Sequence, residues 1–234
     1  MEQVRAKVQS ASCLLFLLAS ETDFGGMADA FREILLLNFG KEDPFRVFNS
    51  LVNRLIIPDH LSVFLVDKLG SEMGYYSTCY LRDLLLGSIL YWLIGGLWHF
   101  AIYNVGGNVL FRAKKRPLPT WATILDQMIL AQSSLLLYAM LPILSEFLIE
   151  SRYTRCYFYL DEVGGFLPYL VYLILYITIV EIGIYWIHRT LHTNKFLYKH
   201  IHALHHKYNR AQTLTPWASI AFHPLDGILQ VSTK

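Results

Sequence analysis

Residues 166–187 read FLPYLVYLILYITIVEIGIYWI and run directly into His188-Arg-Thr-Leu-His192. Glu181 is the one charge in that apolar block. At ~1.5 Å of rise per residue, the block is long enough as a helix to cross a hydrocarbon layer ~30 Å thick. Within that layer a backbone must satisfy its own hydrogen bonds, so a single apolar segment there is helical. This stretch therefore predicts an all-α, multi-pass membrane protein. A histidine pair stands where its last long helix meets water.

Two earlier blocks agree. Leu84 to Val105 contains no Asp, Glu, Lys or Arg, and Trp92, Trp98 and Tyr103 suit a membrane setting. Ile124 to Ile149 carries Asp126 early, Pro142 inside and Glu146 late, which predicts a kinked span. The expected organisation is an N-terminal arm over 1–80, a membrane domain over 81–187 with spans near 84–105, 124–149 and 166–187, and the start of a metal-binding region over 188–234. In the arm, Arg5 and Lys7 precede an apolar run from Ala11 to Ala19, which resembles a weak signal peptide. The alternative is an amphipathic or disordered arm. Pro44 and Pro58 break the following mixed region, which predicts short interfacial helices.

Composition fits a lipid environment. Of 234 residues 54% are hydrophobic and 16% charged, where a soluble domain carries about a quarter charged. A net charge of +2 gives no reason to expect a nucleic-acid partner. Cys13, Cys79 and Cys156 are odd in number and lack CxxC spacing, which argues against a disulfide framework or zinc ribbon. Arg112, Lys114, Lys115 and Arg116 put residues 106–123 on the cytosolic side by the positive-inside rule. The second span then leaves that side and the third returns to it, so the residues after Ile187 emerge on that same face. Arg189, Lys195, Lys199, Lys207 and Arg210 agree.

Seven of the nine histidines fall between His188 and His223, where an even scatter would place one or two. His188 and His192 are four apart, so on a helix they lie ~40° apart on one face. His202-Ala-Leu-His205-His206 offers spacings of three and four within ~100° of arc, with His200 on roughly the opposite side. Asn194 is positioned to cap a second helix beginning at Lys195. Two helices with imidazoles on facing sides can converge on one centre, and neutral imidazole suits Zn, Fe, Cu and Ni. Glu181, two turns before His188, is expected to orient a ligand imidazole, or to be a buried carboxyl satisfied by Tyr185. His223 is either a sixth ligand or a residue at the mouth of a helix, and Asp226 is a second carboxylate placed to orient a ligand. His60 and His99 read as ordinary surface and packed histidines. Tyr185, Trp186, Thr215 and Trp217 are candidates to meet a substrate hydroxyl by position alone.

HRTLH, HALHH and TPWASIAFHPLDG resemble the first two histidine boxes and the following segment of the fatty acid hydroxylase and sterol desaturase superfamily. The longer string from Glu181 to Gln230 resembles the plant Δ7-sterol C-5(6)-desaturases. That resemblance implies an endoplasmic reticulum enzyme with a cytosol-facing di-iron centre that activates O2. Its substrate would be a Δ7-sterol, and its electron donors cytochrome b5 and its NADH-dependent reductase. By carry-over His188, His192, His202, His205 and His206 are iron ligands, with no catalytic group beyond the ligands. The family completes its site with a third box far downstream. The expectation is therefore of a C-terminally truncated chain with an incomplete centre and little activity alone. Two other readings stay open: a membrane carrier of divalent metal, and a non-catalytic partner of a full-length desaturase.

Overall fold

A computed structural model of the chain describes residues 43–107, 109, 118–154, 157, 160–210 and 213–231. The apolar run after Lys7 and the basic group at 112–116 lie outside the described residues. The described fold is all-helical, with three helices long and apolar enough to cross a membrane: Ser71–Val105, Trp121–Glu150 and Phe166–Thr193. The chain divides into two compact units. One is residues 1–82 with 146–154, the other 83–145 with 155–234.

In the first unit, α1 (Pro44–Ile56) starts on Asp43, whose carboxylate accepts from Phe45 N–H at 2.9 Å, and Pro44 opens the first turn. α2 (Asp59–Leu69) follows Pro58 and ends at Gly70, which takes φ +84°. Gly74, at the start of α3 (Ser71–His99), lies so close to α2 that a Cβ would come within 2.5 Å of the Val66 backbone. The first long helix thus begins thirteen residues before Leu84, and Arg82 and Asp83 lie inside it. Arg82 does not end the helix because its charge is neutralised. It pairs with Glu146 while donating to Asn53 Oδ1 at 3.1 Å, and all three side chains are buried. Tyr75 and Tyr76 donate to the Glu150 carboxylate at 2.6 and 3.0 Å, so this acid is also internally satisfied.

In the second unit, α3 passes into a π-helical turn at Phe100–Val105. α4 (Trp121–Tyr138) is capped by Thr120, whose hydroxyl accepts from Thr123 N–H. α5 (Met140–Glu150) follows after a break at Ala139. Pro142 lies four residues past Tyr138 and can neither donate to its carbonyl nor avoid it, so the helix breaks there rather than at the proline itself. α6 (Phe166–Thr193) has 28 residues, of which only Val180 and Leu191 are buried. A helix apolar on every side with so little buried surface is built for lipid. Its length is ~42 Å, more than the ~30 Å hydrocarbon layer, so it is long enough to extend past that layer. His188 and His192 sit on its last two turns.

After α6 come α7 (Lys195–Leu197), a π-helical turn (Tyr198–His202), α8 (Ala203–His206), a 3₁₀ turn (Pro216–Ala218) and α9 (Pro224–Val231). The core of this unit gathers Tyr91, Ile124, Met128, Ala131, Tyr208, Trp217 and Ala221. Trp217 fills the notch left by Gly95 on α3, where a Cβ would come within 2.7 Å of its ring. Polar anchors hold the segment against α4. Gln127 donates to the Thr213 carbonyl at 2.5 Å and accepts from Thr215 Oγ1, and Ser134 Oγ donates to the Phe222 carbonyl at 2.9 Å. Asp126 binds Lys207 Nζ at 2.6 Å and the Tyr208 hydroxyl at 2.8 Å.

Candidate metal centre

The connection between α6 and α7 brings the two histidine groups together. Asn194 Oδ1 accepts from the backbone N–H of Phe196 and Leu197 at 3.0 and 3.1 Å, which starts a new helix immediately after the old one ends. The chain reverses within one residue, and the faces bearing His188/His192 and His202/His206 turn toward each other.

Four imidazoles converge. His192 Nε2 lies 3.2 Å from Nε2 of His188, of His202 and of His206, and His206 Nε2 lies 3.0 Å from His202 Nε2. All four nitrogens fall within 4.8 Å of one another. A metal ion bound at ~2.0–2.1 Å by imidazole sets neighbouring nitrogens ~2.9 Å apart at right angles and ~3.4 Å apart in a tetrahedron. The three edges among His192, His202 and His206 and the His188–His192 edge, 3.0–3.2 Å, lie between those limits, while the full spread of the four nitrogens, up to 4.8 Å, is wider than one ion at that bond length allows. Hydrogen bonding among the rings cannot account for the cluster. A neutral imidazole has one N–H to give, and three mutually adjacent Nε2 atoms cannot each be paired that way. Lone pairs directed at one point are what a cation requires.

His202 shows how the lone pair is aimed. Its ring is fully buried, and Nδ1 lies 2.8 Å from Oδ2 of the fully buried Asp226. A proton on Nδ1 satisfies that contact and leaves Nε2 bare toward the cluster. The other Asp226 oxygen accepts from Gln230 Nε2 at 2.7 Å. Asp226 is held by α9, whose start is capped by His223: its Nδ1 accepts from Leu225 N–H at 3.2 Å. Gly227, next along α9, packs on Tyr138 where any Cβ would run into the phenol ring. Burial holds His206 and His205 below the usual imidazole range, and neighbouring imidazoles add to the effect. Both therefore stay neutral, the form that ligates, at physiological pH.

The remaining residues singled out from sequence are placed as follows. His205 stands beside the four, 5.2 Å from the His202 ring between centroids, with its ring edge-on to Phe222 at 5.4 Å. His200 is exposed and packs on Phe196. Glu181 is exposed on α6, and no hydrogen bond joins it to a described histidine. Thr215 and Trp217 have their polar atoms engaged internally, Thr215 by Gln127 and the Trp217 indole N–H by His99 Nδ1 at 3.2 Å. Tyr185 accepts from Arg189 at 2.9 Å, and Trp186 is exposed.

Sequence reasoning missed the π-helical turn that ends at His202. The residues that follow it, 203–206, are α-helical, so His202 and His206 share one face while His205 stands beside them against Phe222. Nothing in YKHIH announces that turn. Tyr198 was missed too, although its ring lies 5.8 Å from His192 and 6.1 Å from His206 between centroids. Gln230, one helical turn past Asp226, could have been found from its i, i+4 spacing.

Residues 173–233 match the fatty acid hydroxylase family. The chain is 44% identical over 181 residues to an Arabidopsis thaliana protein provisionally named Delta(7)-sterol-C5(6)-desaturase 2, an alignment covering 77% of this chain and 62% of that protein. It is 41% identical over 181 residues to the Delta(7)-sterol-C5(6)-desaturase of Nicotiana tabacum, covering 77% and 64%. Over 95 residues it is 43% identical to the lathosterol oxidase of Rattus norvegicus, covering 38% and 29%. The chain thus aligns with less than two thirds of the length of its plant relatives. No solved structure matches it.

Proposed function

We propose, from the match of residues 173–233 to the fatty acid hydroxylase family, that this protein is an O2-dependent sterol C-5(6)-desaturase of the endoplasmic reticulum, its metal centre facing the cytosol. The observation that carries the reading is the convergence of four Nε2 atoms at the water end of a membrane-length apolar helix. The plant relatives named for this reaction supply the substrate class, a Δ7-sterol.

His188, His192, His202 and His206 hold an iron ion through Nε2. His205 and His223 are the residues of this chain available to a second iron. Removing hydrogen from an unactivated carbon is beyond acid–base side chains, and bound iron supplies the redox chemistry, with cytochrome b5 and its reductase as the electron source. In the overall balance two hydrogens leave the sterol, two electrons and two protons arrive, and O2 ends as two waters. Asp226 keeps the His202 proton on Nδ1 and the ring fixed. Tyr198 covers one side of the His192 and His206 rings and limits water there. Because α6 carries the first histidine pair at the end of a membrane-length apolar helix, a membrane-dissolved lipid would approach the centre from the bilayer side.

The test is expression of the reading frame that encodes these residues in yeast lacking its own C-5 desaturase. Sterols carrying the 5,7-diene should accumulate, and should disappear on His202→Ala. Purified protein should contain iron. Zinc as the sole metal, with no diene from an abundantly expressed protein, would overturn the desaturase reading in favour of metal carriage.

A further inference from the structure

The second unit carries an open apolar groove of about 780 Å³ running along α3, separate in its lining from the four histidines. Its size falls within the ~300–1,000 Å³ of sites that enclose small organic ligands. The α3 side is formed by Gly87, Tyr91, Gly95, Trp98 and Ile102. Those positions are three or four residues apart, so they make a single helical stripe roughly 20 Å long. The opposite wall is Leu135 of α4 and the 214–220 segment.

Resting on the sterol desaturase reading above, we propose that this groove holds the sterol, lying flat along the glycine-notched stripe of α3 with its hydroxyl-bearing half toward the histidines. Three observations carry it. The first is rigidity. Tyr91 OH donates to the Trp217 carbonyl at 2.9 Å, and Trp217 Nε1 donates to His99 Nδ1 at 3.2 Å. Tyr91, which lines the groove, and the segment behind it are therefore held before any ligand arrives, and a preformed slot favours a rigid fused ring, which has little conformational freedom to lose. The second is the notch at Gly87. A Cβ there would meet only Leu135 Cδ2, at 3.7 Å, so the helix backbone is open to a flat face. The third is the end of the slot. Leu135 adjoins Ser134, which bonds the Phe222 carbonyl, and the Phe222 ring stands against His205. Ile220 and Ser219 lie on the same stretch. The C-5–C-6 bond belongs to the half of a sterol that bears its hydroxyl. That half lies toward Leu135 and Ile220, where Ser219 offers a hydroxyl, and the branched tail lies toward Trp98 and Ile102.

Photolabelling the full chain in lipid nanodiscs tests this, using two diazirine sterols, one with the reactive group on the ring system and one at the tail terminus. The ring probe should label residues 134–138 or 219–222, and the tail probe residues 98–103. Gly87→Leu fills the notch and should weaken sterol binding by about tenfold or more. Leu86→Phe, on the exposed neighbouring surface, should not. Metal content equal to wild type shows that each variant is folded, and Ile94→Trp is a second way to fill the slot. Labelling confined to other helices, or full sterol affinity in both filled variants, overturns the slot and leaves the desaturase reading standing. A metal-loaded wild-type protein that binds no sterol overturns both.

Discussion

Replacing Asp226 with alanine tests the proposed metal centre from behind one of its ligand imidazoles. The carboxylate accepts from His202 Nδ1, and both side chains are fully buried. A buried hydrogen bond to a charged group contributes about 1.5–3 kcal/mol. At 1.4 kcal/mol per factor of ten, its loss should weaken metal binding by roughly 10- to 100-fold, the range seen when the acceptor behind a ligating imidazole is removed. Two effects contribute. The Nδ1 proton loses its partner, so the ring can adopt the tautomer that points a proton at the cluster, and the negative charge that raised the basicity of Nε2 is gone. Asp226→Asn should fall between wild type and alanine. It keeps an oxygen for His202 but has only one acceptor where Asp226 serves both His202 and Gln230. The assay is anaerobic competition of Fe(II) or Co(II) between the purified protein and a chromophoric chelator, with helicity followed by circular dichroism. Because Asp226 acts through His202, adding Asp226→Ala to His202→Ala should cost little more than His202→Ala alone. Undiminished metal affinity in a folded Asp226→Ala protein would refute the reasoning, as would additive losses in the double variant.

Four further outcomes are expected. His205→Ala should retain the ion held by the other four histidines, whereas His202→Ala should lose it, read as metal per chain by mass spectrometry. Gly227→Ala should lower stability by about 1–3 kcal/mol because its methyl meets the Tyr138 ring, and Tyr138→Leu should recover part of that in a detergent melt. Arg82→Met leaves the buried Glu146 without its cation and should destabilise by about 3–5 kcal/mol, and adding Glu146→Leu should restore most of the loss. Asn194→Ala removes the acceptor for two N–H groups, and a cost of about 1 kcal/mol should appear with weaker metal binding, since the same cap sets the angle between the two histidine helices.

The parts of this fold that depend on solvent preference were legible from residues alone. An unbroken apolar run has one outcome in a membrane, so α6 could be read from Phe166 onward, and Asn194 declared the next helix because its side chain serves a purely local need. The same reasoning misjudged where the first long helix begins. Arg82 and Asp83 look like a boundary in one dimension. In three dimensions Arg82 meets Glu146 and Asn53, residues 64 and 29 positions away, and a paired charge does not end a helix. Long-range pairing of this kind leaves no periodic trace.

The histidines divide along the same line. The i, i+4 pairs His188/His192 and His202/His206 follow from helix geometry, and those are the four that meet. His205, on the same short helix, stands beside them with its ring edge-on to Phe222. Asp226 lies 24 residues from His202, and the contacts of Lys207, Tyr208 and residues 213–222 with α4, at Asp126, Gln127 and Ser134, return it to the cluster. Those three pins lie along α4, spaced so that each serves a later point of the descending segment. Their polarity weakens α4 as a membrane span, yet without them α9 would have no fixed height on the helix, and Asp226 would not reach His202. Asp126, which interrupts the second span in the sequence, is therefore one of the residues that assemble the histidine cluster.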